Sequence, residues 1–414
     1  MNKMINMRLL LICFVILSFV SCNKSDDNPI TPIIVTTDSF TVVVNNGYGS
    51  AKYKIGDTVH IFSNAYSSSQ VFDKWTGDIS TLNASNEWHT WFIMPNSNVT
   101  IEGTLKNITP FSLQYEQIRG RDRLKPVYSY FPAGHKGIVY LLHGTGGTAL
   151  NLVNNFEFTQ LIKELVNDGF AIIVTEAEEA TTGVDANADG KLRWATTPVD
   201  TLTNVDYVNI RNITDTFYNR GVTNRSIPRY SIGMSNGGSF SSLLSYAYNF
   251  KAGVSYCAQM GSTLAQITTI PFQFCMARFD NNENVGAAGN AEALSNSNTL
   301  SGRSICSKYF IKERSPLYAE RFARRGDISI AQSLAVFAEL KSKNFLDSKN
   351  YFIGFSSSLV TAYQASPASF PALSSLTLLQ IAFVLEQIDL AVSDHQMYSD
   401  YNKATLKFLN TQCL

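Results

Sequence analysis

The segment from Arg229 to Gly238 reads RYSIGMSNGG and contains the pattern G-x-S-x-G, with Ser235 at its centre. A β-prone run precedes the serine, and small residues lead from it into a predicted helix over Ser239–Tyr248. Between a strand and a helix, this pattern makes so tight a turn that the serine adopts a strained conformation, and the flanking glycines remove steric clashes. The segment therefore predicts a nucleophile elbow, with Ser235 Oγ exposed above a sheet.

The first 21 residues predict a secretory signal peptide. Two basic residues precede the apolar run Leu9–Leu17, and small residues then lead to Cys22. This order is typical of a secretory signal, and the run is too short for a membrane span. The ending resembles a bacterial lipoprotein signal, in which Cys22 is lipidated, and Asn23–Asp27 resembles the acidic export signal of Bacteroidetes lipoproteins. The resemblance implies an outer-membrane lipoprotein, exposed at the cell surface, that contacts the membrane only through its lipid anchor.

The charge of the mature chain is close to zero. Removal of the signal peptide takes away Lys3 and Arg8 and no acid, so 33 basic and 33 acidic residues become 31 and 33, a net charge of −2. This balance does not suggest nucleic acid or an anionic membrane as a partner. Because 414 residues make a single domain improbable, we expect a tether over residues 22–39 and two folded regions after it.

Residues 40–107 predict a small all-β module, because β-branched runs alternate there with Asn, Gly, Ser and Pro. The blocks Phe72–Asp78 (FDKWTGD) and Phe92–Pro95 (FIMP) resemble the divergent InlB-type B-repeat of bacterial surface proteins. The module holds three of the four tryptophans of the chain: Trp75, Trp88 and Trp91. They are candidates either for a sugar-binding platform or, in the favoured interpretation, for the core of a spacer module.

From Thr109 onwards, strand signals alternate with helical patterns, which is typical of α/β packing around a mostly parallel sheet. Gly137–Leu142 predicts a buried strand that runs into the glycine-rich turn His143–Gly147. Phe156–Asp168 and Val205–Tyr218 predict helices, and two further strands follow the elbow. We therefore predict the α/β-hydrolase fold, preceded by the β module.

Three segments carry a more specific resemblance: His143–Gly147 (HGTGG), Asn204–Val208 (NVDYV) and Gly233–Gly238 (GMSNGG). They are similar to motifs of the polyhydroxybutyrate-depolymerase and feruloyl-esterase group of α/β-hydrolases. The similarity covers residues 109–414 and is strongest in the first half. It implies a secreted serine esterase that acts on acyl esters of plant polysaccharides or on polyesters and requires no cofactor. A serine peptidase on the same fold and a non-catalytic polysaccharide-binding lipoprotein are the alternatives.

The general base follows from the order of residues along the chain. In α/β-hydrolases the nucleophile is followed by the acid and then by the histidine. Of the five histidines, only His395 lies after Ser235. His143, in the glycine-rich turn, is expected to brace that turn rather than to transfer protons. The sequence therefore predicts Ser235 and His395 as nucleophile and base.

The acid is expected on the loop that leaves the strand Phe272–Ala277. Asp280 is the first carboxylate on this loop, and we predict it as the third member of the triad. The loop departs from the spacing of the related esterases, so Glu283 stays open as the alternative. Asp394, next to His395, is less suitable for this fold.

Two backbone N–H groups are needed to stabilise the oxyanion of an acyl-transfer reaction. One is predicted at Asn236, directly after the nucleophile, and the other at Thr145, with Gly146 as the alternative. Trp194 resembles a pocket-lining tryptophan of the esterase group, and we expect it to contact substrate. Together these residues complete the predicted active site.

The loop Asp185–Gly190 (DANADG) matches the first half of an EF-hand loop. Asp185, Asn187 and Asp189 are therefore candidate ligands for a structural Ca²⁺. The twelfth position is Thr196 rather than glutamate, so an Asx-rich turn is the favoured alternative.

Between the predicted acid and His395 lies more chain than the fold needs. Apolar-faced helices predicted over Ile328–Leu340 and Leu373–Val392 indicate a helical cap at about residues 300–390. A pairing of Cys306 with Cys413 would attach this cap to the C-terminus. Spacing alone does not fix the connectivity among the four cysteines that follow the tether: Cys257, Cys275, Cys306 and Cys413.

Overall fold

The computed structural model describes residues 39–64 and 67–413. The predicted signal peptide, the lipidation site at Cys22 and nearly all of the tether lie outside these ranges, so they stay predictions. Within the described part of the chain, no helix combines the length and the apolar character needed to cross a membrane.

The N-terminal region contains two small β-sheets around one aromatic core. Its strands are β1 (Ser39–Asn45), β2 (Gly47–Tyr48), β3 (Ala51–Lys54), β4 (Thr58–Ser63), β5 (Gln70–Gly77), β6 (His89–Ile93) and β7 (Val99–Asn107). The strand orders are β3–β1–β7–β5 and β2–β4–β6. Trp75 is fully buried and Trp88 is 4% exposed, whereas Trp91 is 36% exposed. The three tryptophans therefore do not form a shared platform, and two of them are core residues.

The second region is organised around an eight-stranded sheet. Its strands are β8 (Gln114–Arg119), β9 (Leu124–Tyr130), β10 (Gly137–Leu142), β11 (Phe170–Val174), β12 (Arg229–Met234), β13 (Ala252–Tyr256), β14 (Phe272–Ala277) and β15 (Ser307–Lys312). Their spatial order is β8–β9–β11–β10–β12–β13–β14–β15. β9 is antiparallel to both its neighbours, and the remaining pairs are parallel. This topology, with a tight turn after β12, is that of the α/β-hydrolase fold, which confirms the predicted fold class.

Helices pack on both faces of this sheet, and a C-terminal helix completes one of them. They are α1 (Ala149–Asn154), α2 (Phe156–Asn167), α3 (Glu178–Thr182), α4 (Val205–Asn219), α5 (Asn236–Ala247), α6 (Ser262–Ile267) and α7 (Gly286–Gly302). In α2, Phe158, Leu161, Ile162 and Leu165 recur at helical spacing and are buried on the sheet. The side chain of Asn155 accepts from Phe158 N and so caps its first turn.

The cap lies between β15 and the loop of His395. Its helices are α8 (Ile330–Ser342), α9 (Ser356–Ala365), α10 (Pro371–Ser374) and α11 (Leu378–Val392), and α12 (Asn402–Thr411) follows that loop. Capping boxes fix the starts of α8 and α11, and the cap has an apolar core of its own. The predicted lower boundary at about residue 300 is too early, because it falls inside α7 and because β15 belongs to the central sheet.

Buried polar side chains of the β module contact α12 and the loop before it. His89 Nδ1 lies 2.5 Å from Asp400 Oδ1, and Lys312 Nζ donates to the same oxygen at 2.6 Å. Burial lowers the pKa of His89 to about 4, so the imidazole is neutral at pH 7 and donates its Nδ1–H to Asp400. Glu87 accepts from the N–H of Ala404, in the first turn of α12. The module is therefore part of the same unit as the hydrolase sheet and not a loosely attached spacer.

A disulfide links Cys306 to Cys413. This is the pairing considered from the sequence but left open there, and it joins the start of β15 to the end of α12, not to the cap. Cys257 and Cys275 are free and buried.

We predict that replacing both bridged cysteines by serine lowers the free energy of unfolding by about 2–5 kcal/mol, because the bridge closes a loop between residues 107 positions apart. Chemical denaturation with and without a reductant measures this loss. The double variant should not respond to the reductant, whereas the unchanged protein should. Equal stability of the two proteins would mean that the bridge does not constrain the unfolded chain.

Candidate active site

Ser235 occupies the turn between β12 and α5, as the motif predicts. Its backbone has φ 56° and ψ −128°, a conformation that residues other than glycine rarely adopt. A Cβ atom at Gly233 would lie 2.0 Å from the carbonyl oxygen of Gly237, and one at Gly237 would lie 2.3 Å from that of His143. Both positions therefore require glycine, and together they hold Ser235 above the strand ends.

The structure brings the three predicted triad residues into one hydrogen-bonded chain. Ser235 Oγ lies 2.8 Å from His395 Nε2, and His395 Nδ1 lies 2.7 Å from Asp280 Oδ2. Because the carboxylate can only accept, Nδ1 carries the proton and Nε2 is left to accept from the serine hydroxyl. This is the tautomer that a general base next to a nucleophile requires.

Backbone contacts hold the acid loop and the base loop together. Asp394 Oδ1 accepts from the N–H of Asn281 at 2.9 Å and from that of His395 at 2.7 Å. Ser393, which ends α11 in a left-handed conformation, accepts from the N–H of Phe279 through its carbonyl oxygen at 3.0 Å. Asp394 thus holds the two loops together and does not contact the imidazole of His395 as Asp280 does, and no pattern in the sequence indicates this bridging.

The two candidate acids differ in their surroundings. The side chain of Asp280 is completely buried against His395, and its second oxygen accepts from Asn282 N. Glu283 is 77% exposed and forms an ion pair with Lys191 at 2.8 Å. The carboxylate that contacts the base is therefore Asp280.

The glycine-rich turn after β10 passes directly beside the serine. A Cβ atom at Gly144 would lie 3.2 Å from Ser235 Cβ. His143 holds this turn, because its Nδ1 donates to Gly144 O at 2.7 Å and its Nε2 accepts from Ala177 N at 3.0 Å. Burial lowers the pKa of His143 to about 4, so the ring stays neutral and keeps this acceptor role. Its contacts agree with the predicted bracing role.

Trp194 does not contact substrate in the way that we expected. The side chain is 1% exposed and stacks on Phe240 at 4.8 Å between ring centroids. Its Nε1 donates to His143 O at 2.9 Å, and its backbone N–H donates to Asn236 Oδ1 at 2.8 Å. Sequence could not predict this burial, because the covering residues come from other elements. Trp194 supports the glycine-rich turn and the start of α5 from behind.

Asp206 is a further positioning residue that sequence reasoning missed. It is fully buried, and its two oxygens accept from the backbone N–H of Glu178 at 2.7 Å and from that of Ala195 at 2.8 Å. It thereby ties the loop of Trp194 to the start of α3. Asp206 lies inside the NVDYV segment, but spacing alone gave no indication of what it binds.

The candidate calcium loop is closed by hydrogen bonds of its own. Asp185 Oδ2 accepts from Gly190 N at 2.6 Å, and Asn187 Oδ1 accepts from Asp189 N at 3.2 Å. Asp189 also forms an ion pair with Arg193, which supplies positive charge where an EF-hand has its ninth position. The loop therefore fits the Asx-rich turn directly and supplies only half of a calcium ligand set, so the Ca²⁺ site stays a prediction.

No protein-family model matches the sequence, and no curated protein matches it. Among solved structures, the chain is similar to a dienelactone hydrolase from Anabaena variabilis, with 14% identity over 49% of this chain and 87% of that chain and a TM-score of 0.37. It is also similar to XC6422 from Xanthomonas campestris, described as an α/β serine hydrolase without lid, with 11% identity, 51% and 88% coverage and a TM-score of 0.33. The esterase Pf2001 from Pyrococcus furiosus matches with 10% identity, 50% and 88% coverage and a TM-score of 0.33. At these scores the likeness carries no argument, and the fold assignment rests on strand order and on the turn at Ser235.

The burial of Trp194 gives a test. We predict that Trp194→Ala lowers the free energy of unfolding by about 3–5 kcal/mol, as removal of a buried aromatic side chain does. Trp91→Ala is the matched control, and because that ring is 36% exposed its loss should be much smaller. Urea denaturation of the two variants measures both values. A Trp194→Ala variant as stable as the unchanged protein would contradict the supporting role.

Proposed function

We propose that the protein is a serine esterase that hydrolyses carboxylic esters through a covalent acyl-enzyme. The observation that carries this proposal is the hydrogen-bonded chain from Ser235 through His395 to Asp280, at the end of a strand–turn–helix elbow. A serine hydroxyl is a weak nucleophile until a neighbouring base accepts its proton. The arrangement supplies that base in the required tautomer.

The reaction follows from these contacts. Ser235 Oγ attacks the ester carbonyl while His395 Nε2 accepts its proton, and Asp280 stabilises the imidazolium that forms. His395 then protonates the departing alcohol. Water, activated by the same imidazole, hydrolyses the acyl-enzyme and regenerates the serine.

Two backbone N–H groups are available for the oxyanion. Asn236 is the first residue of α5, where N–H groups have no acceptor within the helix. In the glycine-rich turn, the N–H of Gly146 already donates to Leu192 O at 2.7 Å, which favours Thr145 over Gly146 as the second donor. Each such donor contributes roughly 10²–10³ in rate.

The packing of the cap favours a small acyl group. Phe352, Phe370 and Leu373 are at most 4% exposed and pack in the core of the cap. On sequence alone, the Phe- and Leu-rich stretch around Phe352–Leu376 and Trp194 suggest a roomy apolar pocket, but these four buried side chains offer no free face to an acyl group. We therefore propose short acyl esters, such as acetyl groups on a polysaccharide, ahead of feruloyl, other aryl or polyester substrates.

The proposed location is the outer membrane, with exposure at the cell surface through a lipid on Cys22. The support is the sequence of the N-terminal segment alone. A carbohydrate ester outside the cell is a substrate compatible with that location.

The role of Asp280 is tested by a matched pair of carboxamide variants. We expect Asp280→Asn to lower kcat/KM for p-nitrophenyl acetate at least ~10³-fold, because the imidazolium loses its buried partner and its tautomer is no longer fixed. Glu283→Gln should retain nearly full activity, since its carboxylate only pairs with an exposed lysine. Ser235→Ala sets the background rate. A larger loss in Glu283→Gln than in Asp280→Asn would reverse the assignment.

The substrate class is tested with acetate, butyrate and ferulate esters of one alcohol, together with a peptide p-nitroanilide. We expect kcat/KM to be highest for acetate and to fall as the acyl group grows, because the burial of Phe352, Phe370, Leu373 and Trp194 favours a narrow pocket. A deep apolar pocket would instead raise kcat/KM roughly fourfold for each CH₂ added to the acyl group. Faster cleavage of the anilide than of any ester would favour the peptidase alternative.

A further inference from the structure

Cys257 lies directly beneath the catalytic histidine and has no part in the proposed reaction. It follows β13 in a left-handed conformation with φ 48° and is fully buried. Its thiol donates to the carbonyl oxygen of Gln396 at 3.4 Å. Of the two free cysteines within residues 39–64 and 67–413, Cys275 on β14 is equally buried but is not part of the same cluster of potential metal ligands.

Three side chains of metal-binding type converge at this place. One ligand atom each from Cys257, Asp280 and His395 lies within 4.8 Å of the other two. Sulfur, imidazole nitrogen and carboxylate oxygen are the ligands that Zn²⁺ prefers, and three protein ligands with an open position are typical of its accessible sites. We propose that these residues form a binding site for Zn²⁺ or a related thiophilic ion, and that its occupation switches the enzyme off. The inhibitory consequence rests on the proposed function; the binding itself does not.

The distances are compatible with coordination after small movements. Metal–ligand bonds of about 2.0–2.3 Å place tetrahedral ligand atoms roughly 3.3–3.8 Å apart. Asp280 and His395, now 2.7 Å apart, would separate slightly, and Cys257 Sγ would move towards them. His395 is the least buried of the three and gives the ion its route from solvent. Water or the carbonyl oxygen of Gln396 can complete the coordination.

The chemistry explains why binding inhibits. The Cys257 thiol releases its proton to solvent, and the thiolate and the Asp280 carboxylate neutralise the two charges of the ion. Nδ1 of His395 donates its lone pair to the metal, so the imidazole proton moves from Nδ1 to Nε2. A protonated Nε2 can no longer accept the proton of Ser235. Turnover stops although the fold is retained.

The experiment compares Cys257→Ala with Cys275→Ala, which also removes a buried thiol. After treatment with a chelator, each protein is titrated with ZnCl₂ while hydrolysis of p-nitrophenyl acetate is followed. We expect the unchanged protein and Cys275→Ala to lose activity in parallel and to recover it with excess EDTA. Cys257→Ala should need at least a tenfold higher Zn²⁺ concentration for the same loss of activity. Equal sensitivity of Cys257→Ala, or resistance of Cys275→Ala instead, overturns the proposal.

A calorimetric titration separates this inference from the proposed function. Ser235→Ala keeps all three ligands and should bind one Zn²⁺ per chain, whereas Ser235→Ala/Cys257→Ala should lose that binding event. Binding by a protein that hydrolyses no ester would leave the metal site standing and overturn the esterase proposal. An active esterase without the binding event overturns the metal site. If Cys257→Ala does not fold, as judged from its thermal melt, Cys257→Ser replaces it.

Discussion

The close approach of three backbone segments around Ser235 is the constraint on which the site depends. The end of β10, the turn after β12 and the first turn of α5 meet so closely that no side chain fits at Gly233 or Gly237. This packing keeps the serine in a conformation that an isolated chain would leave, because strained φ/ψ values persist only where the surroundings enforce them. The same contact sets the glycine-rich turn beside Ser235, at the start of α5.

The contact between Ser235 and His395 could be predicted because it depends on chain order and on one local motif. The acid could not be fixed in the same way. Asp280 and Glu283 lie three positions apart on the loop after the same strand, and only the loop conformation buries one and exposes the other. The burial of Trp194 could not be predicted for a related reason, since the rings that cover it come from distant parts of the chain.

The central strands and helices were predictable because their hydrophobic patterns are strong. The antiparallel pair β8–β9 and the segment from α7 to β15 were not identified. α7 reads GAAGNAEALSNSNTLSG, and several of its buried positions are small or polar, including Asn290, Asn296 and Ser297. Such a helix has no clear apolar stripe, and its burial depends on partners that the sequence does not reveal.

The segment of residues 393–413 makes several contacts on which distant parts of the structure depend. This segment contains His395, which is the proposed base, and Cys413 of the disulfide. It also contains Asp400, whose carboxylate accepts hydrogen bonds from His89 and Lys312. A chain that lost residues 393–413 to proteolysis would lose the proposed base, the carboxylate that contacts the β module and one half of the disulfide together.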